Sequence, residues 1–220
     1  MKRVTIRVPA TTANLGPGFD AFGCALGLYT DVTFEETEYG LEITGCDEEF
    51  TGPDNLAPAF YGGLTASMVD NGLPVTVNFP LHPDWEFLAL VPDFTLSTPK
   101  ARAVLPKEVS RADAIYNISH GAMVLKALEL GDEKLLRTAM QDKLHQNYRR
   151  SLIMDYEQIE ALVRTTGAAF CLSGAGPTLL CITRNAGLEE KLGQKLPTVT
   201  QANWEMLPLH IDFEGARIIE

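Results

Sequence analysis

The sequence has few cysteines, and none of them lies in a pattern typical of a metal site or a disulfide framework. Zinc sites and small disulfide-bonded scaffolds depend on closely spaced cysteines, such as a Cys-x-x-Cys pair, and the sequence contains no such pair. We therefore expect no metal site and interpret the cysteines as reduced, mostly buried thiols. The four residues are Cys24, Cys46, Cys171 and Cys181.

Long apolar runs are also absent. No segment approaches the roughly 20 apolar residues of a membrane-spanning helix, and the first seven residues do not contain the apolar core of a signal peptide. The sequence therefore predicts a cytoplasmic protein that has no membrane partner.

Basic residues are in the minority. The chain has 18 Lys and Arg against 29 Asp and Glu, which gives a net charge of −11. Such a surface does not attract nucleic acid or an anionic membrane, so general binding to either polyanion is excluded and only a local basic pocket stays open. With 45% hydrophobic residues, the 220-residue chain can bury a core as one domain or as two small ones.

Alternation of apolar and polar residues predicts a mixed sheet in the first part of the chain. Strands are predicted at residues 3–8, 22–36, 41–44, 74–79 and 85–91. A short helix near Leu56 is predicted to break at Gly62 and Gly63 and to run into a further strand. Residues 101–105 are predicted to form a connecting turn.

The second part of the chain alternates strands and helices, as in a split β-α-β unit with helices on one face. Apolar residues spaced by three to four positions predict a long amphipathic helix from Ala112 to Leu130, which Gly131 ends. Further helices are predicted at 132–140, 155–165 and 188–195, and further strands at 168–172, 178–183 and 204–210.

An unusual stretch runs from Val8 to Gly23. Gly16, Pro17 and Gly18 force an irregular backbone after a β-prone entry, and the stretch carries the side chains of Asn14 and Asp20. These residues are typical of a strand and a tight turn, and equally of a rigid strand that presents polar groups to a ligand.

The run Pro-Ala-Thr-Thr-Ala-Asn-Leu-Gly-Pro-Gly-Phe-Asp, residues 9–20, resembles the first signature of the GHMP kinases, in the form found in the homoserine kinases. This resemblance implies an α+β, two-lobed fold. A shortened N-terminal mixed β lobe would cover residues 1–80, and a ferredoxin-like C-terminal lobe would cover 81–220. It also implies ATP-dependent phosphorylation of the L-homoserine hydroxyl, on the way to threonine, by a cytoplasmic enzyme that could form a homodimer.

Other segments resemble the same family. Residues 97–105 and 142–152 resemble segments whose arginines meet the substrate carboxylate. The stretch 167–178 resembles the Gly-rich third signature, a hairpin that lines the active site. Asp54-Asn55 with the following Ala-Pro-Ala-x-x-Gly-Gly resembles a segment beside the reacting hydroxyl, and equally the start of an earlier helix. Taken alone, each stretch is also typical of a surface turn, a solvated helix end or a plain hairpin.

The resemblance assigns a role to each of these residues. Asp20 would take the α-ammonium group of the substrate, and Arg102 and Arg149 would hold its α-carboxylate by charge-assisted hydrogen bonds. Asn14 would meet the hydroxyl that is phosphorylated, while His145 receives no proton-transfer role. The remaining candidates are Asn55 as a second catalytic residue, Asp54 as a substrate-binding residue, and Ser173, Gly174 and Gly176 of the Gly-rich hairpin.

One block of the family pattern is missing near residue 55. Family members carry there the signature Pro-x-x-x-Gly-Leu-Gly-Ser-Ser-Ala, whose backbone amides wrap the ATP phosphates, and a helix whose glutamate holds Mg²⁺. The chain contains no Ser-Ser pair and no other phosphate-loop motif. We therefore expect apolar sheet surface to be exposed where this block would lie.

Two alternative interpretations stay open at the level of the sequence. One is a non-catalytic relative that binds an amino acid or a protein partner and lacks a nucleotide site. The other is a different GHMP kinase branch, such as mevalonate kinase. The two arginine segments and the Asn-Leu-Gly-Pro-Gly-Phe-Asp run favour an amino acid as the acceptor.

Overall fold

The computed structural model describes residues 3–35 and 53–219, and within these ranges it is an α+β fold with two sheets. The predicted fold class is thus confirmed, whereas the strand predicted at 41–44 and Cys46 lie outside the described residues. The strands are β1 (Arg3–Ala13), β2 (Phe22–Glu35), β3 (Leu64–Asp70), β4 (Leu73–Phe79), β5 (Glu86–Pro92), β6 (Ala169–Leu172), β7 (Leu179–Thr183), β8 (Trp204–Leu209) and β9 (Arg217–Ile218).

The helices follow the predicted order closely. The 101–105 segment differs from its prediction, because residues 98–103 form a short helix that begins after Ser97 with Pro99 in its first turn. The helices are α1 (Pro53–Tyr61), α2 (Thr98–Ala103), α3 (Arg111–Leu130), α4 (Glu133–Ala139), α5 (Gln146–Arg149), α6 (Tyr156–Thr166), α7 (Leu188–Gly193) and α8 (Leu196–Val199). None of the helices in the described ranges is long and apolar enough to cross a membrane.

The first sheet has the strand order β4-β3-β2-β1-β9. Every pairing described in it is antiparallel, so the expectation of a mixed sheet is wrong for this part of the chain. The reason lies in the connections, since a two-residue turn can join only antiparallel neighbours. Asn71 and Gly72 form such a turn between β3 and β4, and both have the positive φ that a type I′ hairpin requires.

The second sheet has the order β6-β7-β5-β8, in which β7 lies between the strands that flank the helical crossover. This order confirms the split β-α-β arrangement. The long helix α3 begins where Ser110 accepts a hydrogen bond from the backbone N–H of Asp113, and it ends at the left-handed Gly131, as predicted. The division of the chain into lobes at residue 80 stays a prediction.

The core lies between the sheets and the helices that cover them. One cluster joins Leu15 and Cys24 of the first sheet region to Phe87 of β5 and Leu128 of α3. Cys24, Cys171 and Cys181 are buried free thiols, as expected, and burial raises the pKa of Cys24 and of Cys171 to about 12. These thiols are therefore apolar packing groups at neutral pH.

Helix α1 lies directly on the first sheet because a glycine makes room for it. A Cβ atom on Gly23 of β2 would lie only 1.9 Å from the backbone oxygen of Asp54. Only a residue without a side chain permits this approach. Gly23 thereby brings the first turn of α1 close to the end of β1.

Beside α1 there is an open groove of about 740 Å³, which Val8, Leu56, Phe60, Val69 and other residues line. Its lining is apolar, and Phe60 and Val69 keep 66% and 63% of their surface exposed. Monomeric proteins rarely expose large contiguous apolar patches, so this surface is unusual for a monomeric fold. Exposed apolar surface therefore lies next to α1, near residue 55, and its relation to the missing block stays a prediction.

Asp155 links the start of α6 to the segment that leads into β8. It has a left-handed backbone, and its Oδ2 accepts hydrogen bonds from the backbone N–H groups of Gln201 and Ala202 and from Nε1 of Trp204. Burial opposes the charged form, but the hydrogen bonds from Ala202, Gln201 and Trp204 outweigh it and lower the pKa of Asp155.

The substitution Asp155→Asn should lower the free energy of unfolding by about 1–3 kcal/mol at pH 7, because the carboxylate's charge-assisted hydrogen bonds are lost. The folded-state pKa of Asp155 is depressed, so its contribution is complete above the ordinary carboxyl pKa of about 4 and disappears as the pH falls below it. Urea unfolding from pH 7 to pH 3 measures both effects, with the exposed Asp93→Asn as control. A stability difference that stays constant over this range would contradict the assignment.

Candidate functional site

The loop between β1 and β2 is shaped by its own side chains. Asn14 has a positive φ of 58°, and its Oδ1 accepts a hydrogen bond from the backbone N–H of Asp20 at 2.7 Å. Gly16 also has a positive φ, and a side chain there would collide with the backbone of Met140. The loop therefore needs glycine at this position. It places Asn14, almost fully buried, and Asp20, half exposed, within one turn of chain.

Asp20 and Arg102 form an ion pair. Nη2 of Arg102 lies 3.0 Å from Oδ1 of Asp20, and Nη1 lies 3.3 Å from Oδ2, so the contact is bidentate. Their side chains are 43% and 53% exposed, respectively. Arg102 comes from α2, in the segment predicted only as a turn. The two residues expected to hold opposite ends of the substrate therefore contact each other in this structure.

Arg149 is the largest fully buried side chain of the described residues. Its Nε donates to the backbone oxygen of Ala101 at 3.2 Å, and its Nη1 donates to that of Gly174 at 3.2 Å. Burial lowers the pKa of Arg149, and the positive charge of Arg102 lowers it further. Within the described residues Arg149 forms no ion pair with a carboxylate. A buried cation that has only neutral partners favours an anionic ligand.

The ring of Phe19 lies against both guanidinium groups. Cζ of Arg149 is 5.1 Å from the ring centroid, and Cζ of Arg102 is 5.9 Å from it. Attraction to the ring's π face offsets part of the repulsion between the two cations. Sequence reasoning missed Phe19, although an aromatic residue between Gly18 and Asp20 was a visible signal.

His145 connects Arg149 to the loop. Its ring stacks on Phe19 with centroids 5.1 Å apart, and its Nε2 lies 2.8 Å from the backbone oxygen of Gly16. Since a carbonyl only accepts, Nε2 carries the hydrogen, and Nδ1 faces Nη1 of Arg149 at 3.4 Å. Complete burial lowers the pKa of His145, so the ring is neutral. This geometry agrees with the structural role expected for it.

Asp142 organises the turn that carries His145. Its carboxylate accepts backbone hydrogen bonds from Leu144, His145 and Gln146, and a further one from Nδ2 of Asn117 on α3. The same Nδ2 also donates to the backbone oxygen of Pro17. The second half of the chain thus fixes the loop at two adjacent carbonyl groups. Sequence reasoning missed both Asp142 and Asn117.

The Gly-rich hairpin between β6 and β7 closes the site on another side. The backbone N–H of Gly174 donates to the oxygen of Ala13 at 2.9 Å, and the hydroxyls of Ser173 and Thr12 lie 3.0 Å apart. Gly174 and Gly176 both have positive φ. The hairpin therefore contacts the end of β1 and, through the Gly174 oxygen, Arg149.

Asp54 and Asn55 lie in the first turn of α1. Asp54 is 1% exposed, and its Oδ2 has no hydrogen-bond partner within the described residues. Burial raises the pKa of Asp54, and the nearby negative charge of Asp20 raises it further. Asn55 is half-buried next to it. Asp54 therefore belongs electrostatically to the cluster of Asp20 and Arg102.

The cluster thus holds two guanidinium groups around Phe19 and the exposed carboxylate of Asp20, and the buried carboxyl group of Asp54 has one oxygen without a partner among the described residues. Each of these groups suits one part of a small ligand that carries both charges. Within residues 3–35 and 53–219, no group of three or more His, Cys, Asp or Glu side chains is arranged to hold a metal ion.

Comparisons with solved structures support the fold. The fold is similar to the crystal structure of homoserine kinase from Cytophaga hutchinsonii, with a TM-score of 0.86, 17% identity, and coverage of 100% of this chain and 98% of that chain. It is also similar to mevalonate-3-kinase from Thermoplasma acidophilum, with a TM-score of 0.62, 11% identity, and coverage of 100% and 99%.

Sequence comparisons identify the family. Residues 124–200 match the model of the GHMP kinases C terminal family. The chain is 32% identical to homoserine kinase from Clostridium beijerinckii over 296 aligned positions, which cover 99% of each chain. It is 33% identical to homoserine kinase from Clostridium botulinum strain ATCC 19397, with coverage of 96% and 97%. Because 296 positions exceed the 220 residues present, the relatives hold residues that have no counterpart here. The chain therefore belongs to the homoserine kinases of the GHMP kinase family.

Proposed function

We propose that the cluster around Phe19 binds L-homoserine as the acceptor of a phosphoryl group from ATP. The observation that carries this proposal is the buried, carboxylate-free guanidinium of Arg149, which lies beside Arg102 and Asp20. An α-amino acid presents one carboxylate and one ammonium group on the same carbon atom. The cluster offers the two cations Arg102 and Arg149 for the carboxylate and the anion Asp20 for the ammonium group.

The two arginines would hold the α-carboxylate. Arg149 is held in place by the carbonyl groups of Ala101 and Gly174, and Arg102 can turn on its exposed side chain. Asp20 would take the α-ammonium group. Holding both ends of the amino acid fixes its side chain in one direction, which lowers the entropic cost of reaction.

The hydroxyl would lie toward Asn14 and α1. Asp54 has a buried oxygen atom without a partner, and this atom can accept a hydrogen bond from the substrate hydroxyl. Asn14 and Asn55 are the polar side chains that we place near this hydroxyl. Ser173, Gly174 and Gly176 would line the site from the hairpin. We assign no general base, because positioning alone supports phosphoryl transfer.

The described residues account less well for the phosphoryl donor than for the acceptor. GHMP kinases use ATP with Mg²⁺, and the metal ion neutralises charge on the transferred group. The described residues provide no metal-binding cluster, and the sequence has no phosphate-loop motif, so these residues do not fit the metal–nucleotide pair. The proposal for this chain therefore depends on its amino-acid half. The homodimer implied by the resemblance stays a prediction.

The proposal is tested by titrating L-homoserine and MgATP separately by calorimetry and by measuring ADP release with both present. We expect L-homoserine to bind with one site per chain. ADP release that depends on homoserine would establish kinase activity, whereas homoserine binding without detectable ATP binding would reduce the chain to an amino-acid-binding relative. Absence of homoserine binding would contradict the proposed site.

The substitution Arg149→Lys should weaken homoserine binding by about tenfold or more, because lysine keeps the charge but loses the planar fork that grips a carboxylate. The neighbouring Arg150 is exposed, so Arg150→Lys is the matched control and should leave the affinity unchanged. Calorimetry measures the affinities, and thermal unfolding verifies that each variant is folded. Equal affinities in folded Arg149→Lys and wild type would contradict the role of Arg149.

A further inference from the structure

The groups proposed to hold the two ends of homoserine hold each other in this structure. Asp20 and Arg102 form a bidentate ion pair with distances of 3.0 and 3.3 Å. A carboxylate ligand for Arg102 must therefore displace Asp20, and an ammonium ligand for Asp20 must displace Arg102. The ion pair is an internal competitor for each half of the substrate.

We propose that the Asp20–Arg102 ion pair makes the site selective for zwitterionic ligands. A zwitterion supplies a new partner to both residues at once, because its ammonium group replaces Arg102 on Asp20 and its carboxylate replaces Asp20 on Arg102. A ligand with a single charge supplies only one partner and leaves the other residue's charge unpaired. This inference rests on the proposed function and explains how the same site rejects ligands that carry a single charge.

The exposure of the pair makes this exchange feasible. The side chains of Asp20 and Arg102 are about half exposed, and ion pairs that are this exposed to water contribute little to stability. A ligand that restores two charge-assisted contacts can therefore open the pair easily. A ligand that restores one contact loses part of its binding energy in opening it.

The surroundings favour the opened arrangement only when a carboxylate is present. Arg149 is buried and positively charged, and it contacts the same Phe19 ring as Arg102, so the two cations repel each other. Asp20 currently balances part of this charge. When Asp20 turns to an ammonium group, a ligand carboxylate has to take its place on Arg102.

The molecule contains a comparable ion pair outside the site. Arg7 of β1 and Asp31 of β2 are joined by two hydrogen bonds of 2.8 Å, and their side chains are 37% and 40% exposed. The nearby Arg217 already has carboxylate partners in Asp212 and Glu214. The Arg7–Asp31 pair therefore has the same chemistry as the Asp20–Arg102 pair, but the neighbouring cation already has carboxylate partners. It serves as an internal control.

The test compares three ligands by calorimetry in wild type and in the variant Asp20→Asn. The ligands are L-homoserine, 4-hydroxybutyrate, which lacks the ammonium group, and 3-amino-1-propanol, which lacks the carboxylate. Asparagine is nearly isosteric with aspartate and tolerates the positive φ of 51° at this position. Asp20→Asn should weaken homoserine binding about tenfold or more and strengthen 4-hydroxybutyrate binding up to about fivefold, because Arg102 is released.

The reciprocal variant gives an independent measurement. Arg102→Gln releases Asp20, so it should weaken homoserine binding and strengthen binding of 3-amino-1-propanol. Asp31→Asn should change none of the three affinities. Thermal unfolding verifies that each variant is folded, and either of the two site variants alone is sufficient to decide.

The outcomes separate this inference from the proposed function. If wild type does not bind L-homoserine, the proposed function fails and the inference fails with it. If wild type binds homoserine but neither variant strengthens binding of its single-charge ligand, the proposed function stands and the inference is overturned. Opposite changes for the zwitterion and the single-charge ligand would support the inference.

Discussion

The burial of Arg149 is the constraint on which the site depends. A guanidinium group removed from water has to be surrounded by acceptors, and here they are the carbonyl groups of Ala101 and Gly174 and the ring of His145. These groups come from α2, from the Gly-rich hairpin and from the turn before α5. The need to satisfy one cation thus brings three distant segments together around Phe19.

The loop after β1 is held by the same network. Nε2 of His145 and Nδ2 of Asn117 donate to the adjacent carbonyl groups of Gly16 and Pro17, and Asp142 orients both donors. The loop needs such support, because its left-handed residues are costly for a free chain. The candidate site is therefore built from segments of both halves of the chain and does not belong to one sheet alone.

The surface next to α1 is apolar and exposed. Leu56, Phe60 and Val69 line an apolar groove next to α1, whose first turn carries Asp54 and Asn55. The relatives align over 296 positions, whereas this chain has 220 residues. The first turn of α1, which carries Asp54, thus lies beside surface that is exposed in the described part of the chain.

The sequence by itself determined the local features and the family. Periodicity placed α3 within one residue, and glycines and β-branched residues located most strands, because these signals depend on near neighbours. The motifs also named Asp20, Arg102 and Arg149 as one site. Only the tertiary structure decided that the first sheet is antiparallel, that α2 is a helix, that Phe19 lies against both arginines and that Asp20 and Arg102 pair. Such contacts join residues far apart in the chain, and no local pattern records which of several possible charge partners a folded backbone brings within reach.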